Sequence, residues 1–288
     1  MKQNNCGART IMEILTINDQ ILPLCDAPSA CLDHGTFFGD GVYEVLRSYN
    51  GKIFALKEHL ERFSQSLAAV EITGINVEQV RQRVLQAYAA AGISNARIYF
   101  HATRGSAPRE HSWDSNLKPN FLLMVTQLSD ETEHKTKGIA VSAHPDWRWK
   151  RCNIKSLNLL ANVLARRYAA KKSCTEAILV DDQGLITEGA SSAFFAIIDG
   201  RLQTAPLTAN ILPSITRRYV IKAAAELGLE IVQNSLSYKQ ALEADELFIA
   251  ATTQDIVPVV RFDDKTVGTG RPGKATLLLM EKFRSYVL

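Results

Sequence analysis

Short runs of alternating apolar and polar residues open the chain, give way to helical spacing, and return. From Ile11 to Leu24 the alternation breaks at Asn18-Asp19, which predicts a hairpin. Phe38-Gly-Asp-Gly41 marks a tight bend, and the run 42–49 behind it alternates as a strand. Asn50-Gly51 predicts a two-residue turn that leads back through Ile53 and Phe54. Leu60, Phe63, Leu67 and Val70 form a helical stripe over 57–70, and Val77, Val80, Val84 and Tyr88 form a second. Strands are expected at 96–103 and 121–126, with the loop Ala107-Pro-Arg-Glu-His111 between them.

Further on, strands are expected at 139–143, 176–180, 185–188, 194–198, around Ile231, at 247–250 and at 255–260. A helix is expected over 216–227, stopped by Gly228, and a last one from Lys274. The stretch 128–137 is polar, charged and aperiodic. It reads as a connection, with an interdomain linker at 131–137 between a domain of residues 1–130 and one of 138–288. Mixed strands and helices with several hairpins predict an α+β fold of two domains rather than a doubly wound sheet.

One segment carries a different signal. Aromatic and basic residues from Trp147 onward precede Lys155, and Leu157, Leu160, Leu164 and Tyr168 follow at helical spacing. This places Lys155 at the mouth of an amphipathic helix, with Ser156 or Asn158 in its cap region. A lysine buried among apolar neighbours can lose its proton near neutral pH and attack a carbonyl.

Composition narrows the function classes. The chain has 288 residues, 46% of them hydrophobic, and a formal charge of +3, which suits a globular protein with two cores. Basic residues do not cluster with aromatics, so nucleic-acid binding has no support. No apolar run is long enough for a membrane helix, and residues 1–10 lack the apolar core of a signal peptide, so the expected location is the cytoplasm. Cys6, Cys25, Cys31, Cys152 and Cys174 are scattered and make no C-x-x-C pair; they read as reduced thiols, with no zinc site and no metal implied.

A lysine that captures a cofactor aldehyde needs companions: an anion cradle, an arginine, and a carboxylate facing a ring nitrogen. Leu212-Pro-Ser-Ile-Thr-Arg217 runs a loop into a helix start, where the N–H groups of Ile215 and Thr216 suit an anion. Ala251-Thr-Thr253 is a hydroxyl-rich turn after a strand. Arg62 supplies a guanidinium, and Glu188 ends a strand beside small residues.

Together these pieces resemble the fold type IV family of pyridoxal 5'-phosphate enzymes, which holds D-amino-acid aminotransferases, branched-chain aminotransferases and aminodeoxychorismate lyases. The matching blocks are FGDGVYEV (38–45), NGKIFALKEHLERF (50–63), TRGSAPREH (103–111), RWKRCNIKSLNLLANVLA (148–165), LITEGASS (185–192), LPSITR (212–217) and ADELFIAATTQDIVPV (244–259). The resemblance implies a smaller N-terminal α/β domain and a larger C-terminal domain with a barrel-like core. It implies Lys155 as the Schiff-base lysine and proton shuttle, Glu188 on the pyridine nitrogen, and Arg62 on the phosphate. Ile215, Thr216 and Thr252 correspond to further phosphate contacts, Leu212 to a residue against the ring face, and Ser191 to a small polar neighbour.

Arg109 and His111 match the Arg-x-His element of D-amino-acid aminotransferases, which with a tyrosine matching Tyr43 traps the substrate α-carboxylate. The implied activity is transfer of the amino group of a D-amino acid to 2-oxoglutarate or pyruvate by a ping-pong route. The alternatives within the fold are an aminodeoxychorismate lyase, an L-branched-chain aminotransferase or an (R)-amine transaminase. A non-catalytic cofactor-binding protein is the alternative from another class. The resemblance also implies a homodimer whose Arg109 loop reaches the partner's site. His34, Ala193 and Ser214 depart from the family pattern, which bears on cofactor affinity and substrate scope.

Overall fold

The computed structural model describes residues 13–112, 117–128, 132–208 and 210–288. Cys6 and the first residues of the expected hairpin lie outside the described residues, as do 129–131 of the expected connection.

A small hairpin, β1 (Ile14–Ile17) and β2 (Gln20–Pro23), comes first. Helix α1 (His34–Phe38) is capped by Asp33, whose side chain accepts from the Gly35 N–H. Then follow β3 (Gly41–Tyr49), β4 (Lys52–Ile53), α2 (Leu56–Ala69), α3 (Val77–Ala91), β5 (Ala96–Thr103) and β6 (Asn120–Gln127). The strands form an antiparallel sheet in the order β4-β3-β5-β6. One face carries Val42, Leu46, Ile98 and Phe100, which meet Leu60, Phe63, Leu67, Val80 and Val84 from the two helices in one buried cluster. The period-2 and period-3.6 stripes of the sequence face each other here, so their burial drives the layer together.

The second half contains α4 (Thr132–Lys137), β7 (Ile139–Pro145), α5 (Leu160–Lys171), β8 (Glu176–Val180), β9 (Leu185–Gly189), β10 (Ala193–Ile198), β11 (Arg201–Gln203), α6 (Ile215–Glu226), β12 (Ile231–Val232), β13 (Leu236–Ser237), α7 (Tyr238–Leu242), β14 (Glu246–Ala251), β15 (Asp255–Phe262), β16 (Lys265–Thr266) and α8 (Lys274–Val287). Its strands pair in the order β12-β11-β10-β14-β15-β7-β8-β9-β13, with β16 beside β15. The sheet curls. Ile178 and Ile186 near one end share a buried cluster with Phe194 and Ala196 near the other, so the sheet wraps its own inner face. Helices α6 and α8 cover the outer face at β10 and β14, where Val220, Ala223, Leu279 and Phe283 meet Phe195 and Phe248. This is the mixed α+β architecture expected, and the polar stretch 132–137 forms a helix where no periodicity was visible.

The lysine segment differs from its expected form. Helix α5 begins at Leu160, its N-cap is Leu159, and no side chain caps it. Lys155 therefore sits five residues ahead, in a strand-like stretch against β3. The Tyr43 N–H donates to the Lys155 carbonyl at 2.9 Å, the Leu157 N–H to the Gly41 carbonyl at 2.9 Å, and Ser156 bridges Val42. Ser156 and Asn158 are thus not caps; Asn158 donates instead to the Gly39 carbonyl at 3.3 Å. The apolar stripe of α5 also faces outward, with Leu160 71% exposed and Leu164 and Tyr168 open as well. Its buried residues, Ala165 and Ala169, pack on the second sheet.

The two glycines of the FGDG block explain why the segment fits. Gly39 has φ +66°, and a Cβ there would lie 2.6 Å from Asn158 Oδ1. A Cβ on Gly41 would lie 2.7 Å from both the Ala102 carbonyl oxygen and Leu157 Cδ1.

Candidate active site

A cavity of about 650 Å³ opens between the two sheets, lined by Tyr43, Arg62, Lys155, Glu188, Ser191, Leu212 and Thr252 among others. Seven of the residues singled out in the sequence thus meet in one place, from β3, α2, the lysine segment, β9 and its following turn, the loop before α6, and the β14–β15 turn. Lys155 is held from both sides. Ile154 is buried in the first sheet's cluster, and the Lys155 N–H donates to Ser66 Oγ at 3.2 Å. Its Nζ lies 4.3 Å from the centre of the Tyr43 ring, so the amine meets an aromatic face rather than an aliphatic pocket.

Arg62 is no solvated helix charge. It is buried, and its Nε and Nη2 donate to the two oxygens of Glu44 at 2.7 and 2.8 Å, while Nη1 donates to the Pro213 carbonyl at 3.0 Å. Of the five guanidinium N–H groups, the remaining two have no acceptor among the described residues. His59 Nδ1 lies 2.7 Å from Glu44 Oε2. Burial works against charge on Glu44, yet Arg62 and His59 hold its carboxyl down at about 2. Burial pushes His59 below its ordinary value, against the opposing pull of Glu44. Sequence reading missed Glu44 and His59; the only signal was an acid at an inward position of β3 and a histidine three residues before Arg62.

These two shifts fix a pH dependence. Both groups bind protons less readily folded than unfolded. Their contribution to stability is therefore complete above the unfolded values and is lost as pH falls, first through the histidine range and then through the carboxylate range. Urea denaturation between about pH 7 and pH 3 is expected to show falling stability, and His59→Gln is expected to flatten the upper part of that fall. An unchanged slope in the variant would remove His59 from the account.

Glu188 is the second buried carboxylate. Its Oε1 accepts from Arg148 Nη1 at 2.5 Å and from the Leu212 N–H at 3.0 Å. Oε2 has no protein donor among the described residues. Burial pushes the carboxyl up, against the Arg148 guanidinium. Arg148 is itself braced by Asp146, through Nε to Oδ1 at 2.9 Å and Nη2 to Oδ2 at 2.8 Å. Burial costs that guanidinium, but Asp146 and Glu188 together hold its proton more firmly. Sequence reading missed Arg148 and Asp146, because the pair that ties them to Glu188 closes only in space.

The small-residue turn is anchored by another acid it did not single out. Glu176 is fully buried; Ser191 Oγ donates to its Oε2 at 2.5 Å and Ser192 Oγ at 3.2 Å. Ser214 caps α6, its side chain accepting from the Arg217 N–H at 3.1 Å. Ile215 and Thr216, the first two residues of that helix, keep N–H groups with no acceptor among the described residues, beside Ser214 at the cavity wall. Burial pushes the Cys152 thiol at the cavity wall up to about 11, so it stays protonated.

Arg109 and His111 do not line this cavity. They lie over Phe38, with the Arg109 guanidinium 5.1 Å and the His111 ring 5.3 Å from its centre. His34 meets the same ring edge-on at 5.2 Å.

The donor set fits pyridoxal phosphate. It offers an amine, an unpartnered carboxylate oxygen in a buried site, and two spare guanidinium N–H groups with two open helix N–H groups. No cluster of potential metal ligands exists among the described residues.

The chain is similar to the D-alanine aminotransferase of Staphylococcus haemolyticus, 36% identical over 94% of this chain and 96% of that one. The D-alanine aminotransferase of Bacillus licheniformis is 35% identical over 89% and 90%. Among solved structures, the branched-chain amino acid aminotransferase of Escherichia coli superposes with a TM-score of 0.85 at 25% identity, covering 93% of this chain and 92% of that one. The profile described as "Amino-transferase class IV" matches residues 41–262. The cavity and these matches lead to one family: the chain is a class IV aminotransferase.

Proposed function

We propose that this enzyme moves the amino group of D-amino acids to a 2-oxo acid, 2-oxoglutarate or pyruvate, with pyridoxal 5'-phosphate as cofactor. The carrying observation is the meeting of Lys155, Glu188 and Arg62 in one cavity. Likeness to D-alanine aminotransferases at 36% identity over 94% of the chain supports the choice of donor. When bound, the cofactor supplies an aldehyde for amines and a ring that takes up the electrons released at the substrate α-carbon. Lys155 would supply the amine that holds the cofactor aldehyde and, once freed by the substrate amine, the base that moves the α-proton. Glu188, braced by Arg148 and the Leu212 N–H through Oε1, would face the ring nitrogen with its open Oε2. Arg62, the Ile215 and Thr216 N–H groups and the Thr252 hydroxyl bind the phosphate. Leu212 would stand against the ring and Ser191 beside it, both at the cavity wall. Release of the first product before the second substrate binds makes the kinetics ping-pong.

Tyr43, Arg109 and His111 bind the substrate carboxylate, the last two from a second copy of the chain in a homodimer. The apolar surface beside the cavity supports this: Trp147 is 63% exposed, and Trp149, Val163, Leu164 and Tyr168 are exposed around it. We place the boundary between the two halves at 131–137; the buried clusters of the first and second sheets are separate, with Ile154 crossing to join the first. No helix is long and apolar enough to cross a membrane among the described residues, and we place the enzyme in the cytoplasm.

The test is a substrate panel with both enantiomers. D-alanine should convert and L-leucine should not; the reverse would reassign the enzyme within the family. Arg109→Ala is expected to raise KM for D-alanine by about 10-fold or more, since a charge-assisted bidentate pair is lost. It should change reaction with a primary amine lacking a carboxylate far less. Equal effects on both substrates would refute the carboxylate trap.

A further inference from the structure

The turn that carries Thr252 is gripped from outside its own sheet. It joins β14 to β15, and Asp255 at its end has left-handed backbone with φ +59°. Arg47 of β3, in the first sheet, donates through Nη1 to Asp255 Oδ1 at 2.8 Å and to the Thr253 carbonyl at 3.0 Å. Tyr49 of the same strand donates its hydroxyl to the same Oδ1. Lys135 of α4 donates to Oδ2 at 2.5 Å. The Arg47 guanidinium also lies 4.4 Å from the centre of the Tyr49 ring. Among the described residues, the three groups that reach this carboxylate belong to the first sheet or to the helix between the halves. The carboxylate itself stands just beyond Thr252 and Thr253, which line the cavity. The Arg47 and Asp255 side chains are mostly buried and Lys135 largely so, which strengthens the pairs relative to surface ones.

We infer that Asp255, held by Arg47, Tyr49 and Lys135, is a positioning residue that fixes the Thr252–Thr253 turn at the phosphate end of the cofactor site. The inference rests on the reading of Thr252 as a phosphate contact. It couples cofactor binding on the second sheet to side chains of the first sheet and of α4. Charge alone predicts the opposite effect of losing Asp255. The cluster has one carboxylate against one guanidinium and one ammonium, so neutralising Asp255 makes it more positive and would tighten a nearby anion. Positioning predicts weaker binding, because the turn loses its anchor.

Two ligands separate these cases. The full-length chain, stripped of cofactor, is titrated with pyridoxal phosphate and with pyridoxal, which has the same aldehyde without the phosphate. Capture by Lys155 is followed by visible absorption. Asp255→Asn is expected to raise the apparent Kd for pyridoxal phosphate about 10-fold, the scale of one lost charge-assisted hydrogen bond, with pyridoxal changed less than about twofold. Lys135→Met, at a more accessible position, should shift in the same direction, and Lys135→Arg should restore binding. Thr252→Ala tests the underlying reading and should erode the preference for the phosphorylated ligand. If Thr252→Ala does so while Asp255→Asn leaves binding unchanged or tighter, the positioning role is overturned and the phosphate contact stands. If Thr252→Ala leaves the preference intact, the phosphate contact itself fails. Equal weakening toward both ligands in Asp255→Asn would show a general structural role and overturn the inference.

Discussion

Lys155→Ala is expected to abolish turnover. The loss should exceed the roughly 10²–10⁴-fold that a positioned proton-transfer group contributes, because the covalent hold on the cofactor goes as well. The fold should survive, since the segment is held by backbone bonds from Tyr43 and Leu157 and by buried Ile154 rather than by the lysine side chain. Steady-state rates with D-alanine, beside an unchanged circular dichroism spectrum, are the measurement. A well-folded variant with activity near the original would sink the assignment of Lys155. The same variant probes the placement of Arg109. Mixed with Arg109→Ala subunits and allowed to exchange, Lys155→Ala subunits should regain activity. In a mixed dimer one cavity then has an intact Lys155 and receives an intact Arg109 from the neighbouring copy. No recovery despite demonstrated exchange would put Arg109 to work within its own chain.

Glu44→Ala is expected to cost about 3–5 kcal/mol of stability, the range for removing one partner of a buried pair. Arg62 would be left with its charge buried and its Nε and Nη2 donors unmatched, and His59 would lose its acceptor. Chemical denaturation with and without cofactor is the measurement. The cofactor-loaded form should recover part of the loss, because a bound phosphate supplies Arg62 with an acceptor. Glu61→Ala on the same helix is the control. Its partner Lys57 stands 3.9 Å away at the surface, and no measurable change is expected. Equal effects of the two substitutions would mean that the Glu44–Arg62–His59 cluster is not buried as described.

Arg62 and Arg109 show how differently the site could be read before folding. Local sequence makes Arg62 an ordinary helix-face charge; only the approach of β3, bringing Glu44, turns it into a buried, aimed guanidinium. Arg109 looks like a member of the same constellation, yet it rests on Phe38 away from this chain's cavity. A motif identifies a residue type and leaves open whose cavity the side chain enters.

The sequence by itself determined the elements whose burial is periodic: the β3 strand, the stripes of α2 and α3, the longer strands of the curled sheet, and the loop that runs into the start of α6. It also marked Lys155, Glu188, Arg62 and the Thr252 turn, because chemistry restricts residue type and the motifs keep that type at fixed spacing. Tertiary structure alone decided the rest. The lysine segment lies against β3 instead of starting a helix, since its backbone pairs with Gly41 and Tyr43 and the glycines let it approach. The stripe of α5 faces out, since a pattern of spacing records that a face is apolar and not what covers it. The supporting ion pairs, Glu44 with Arg62, Arg148 with Glu188 and Asp255 with Arg47, join residues 18, 40 and 208 positions apart. No local pattern encodes a pairing over such distances; it exists only once two cores have packed and desolvated the charges together.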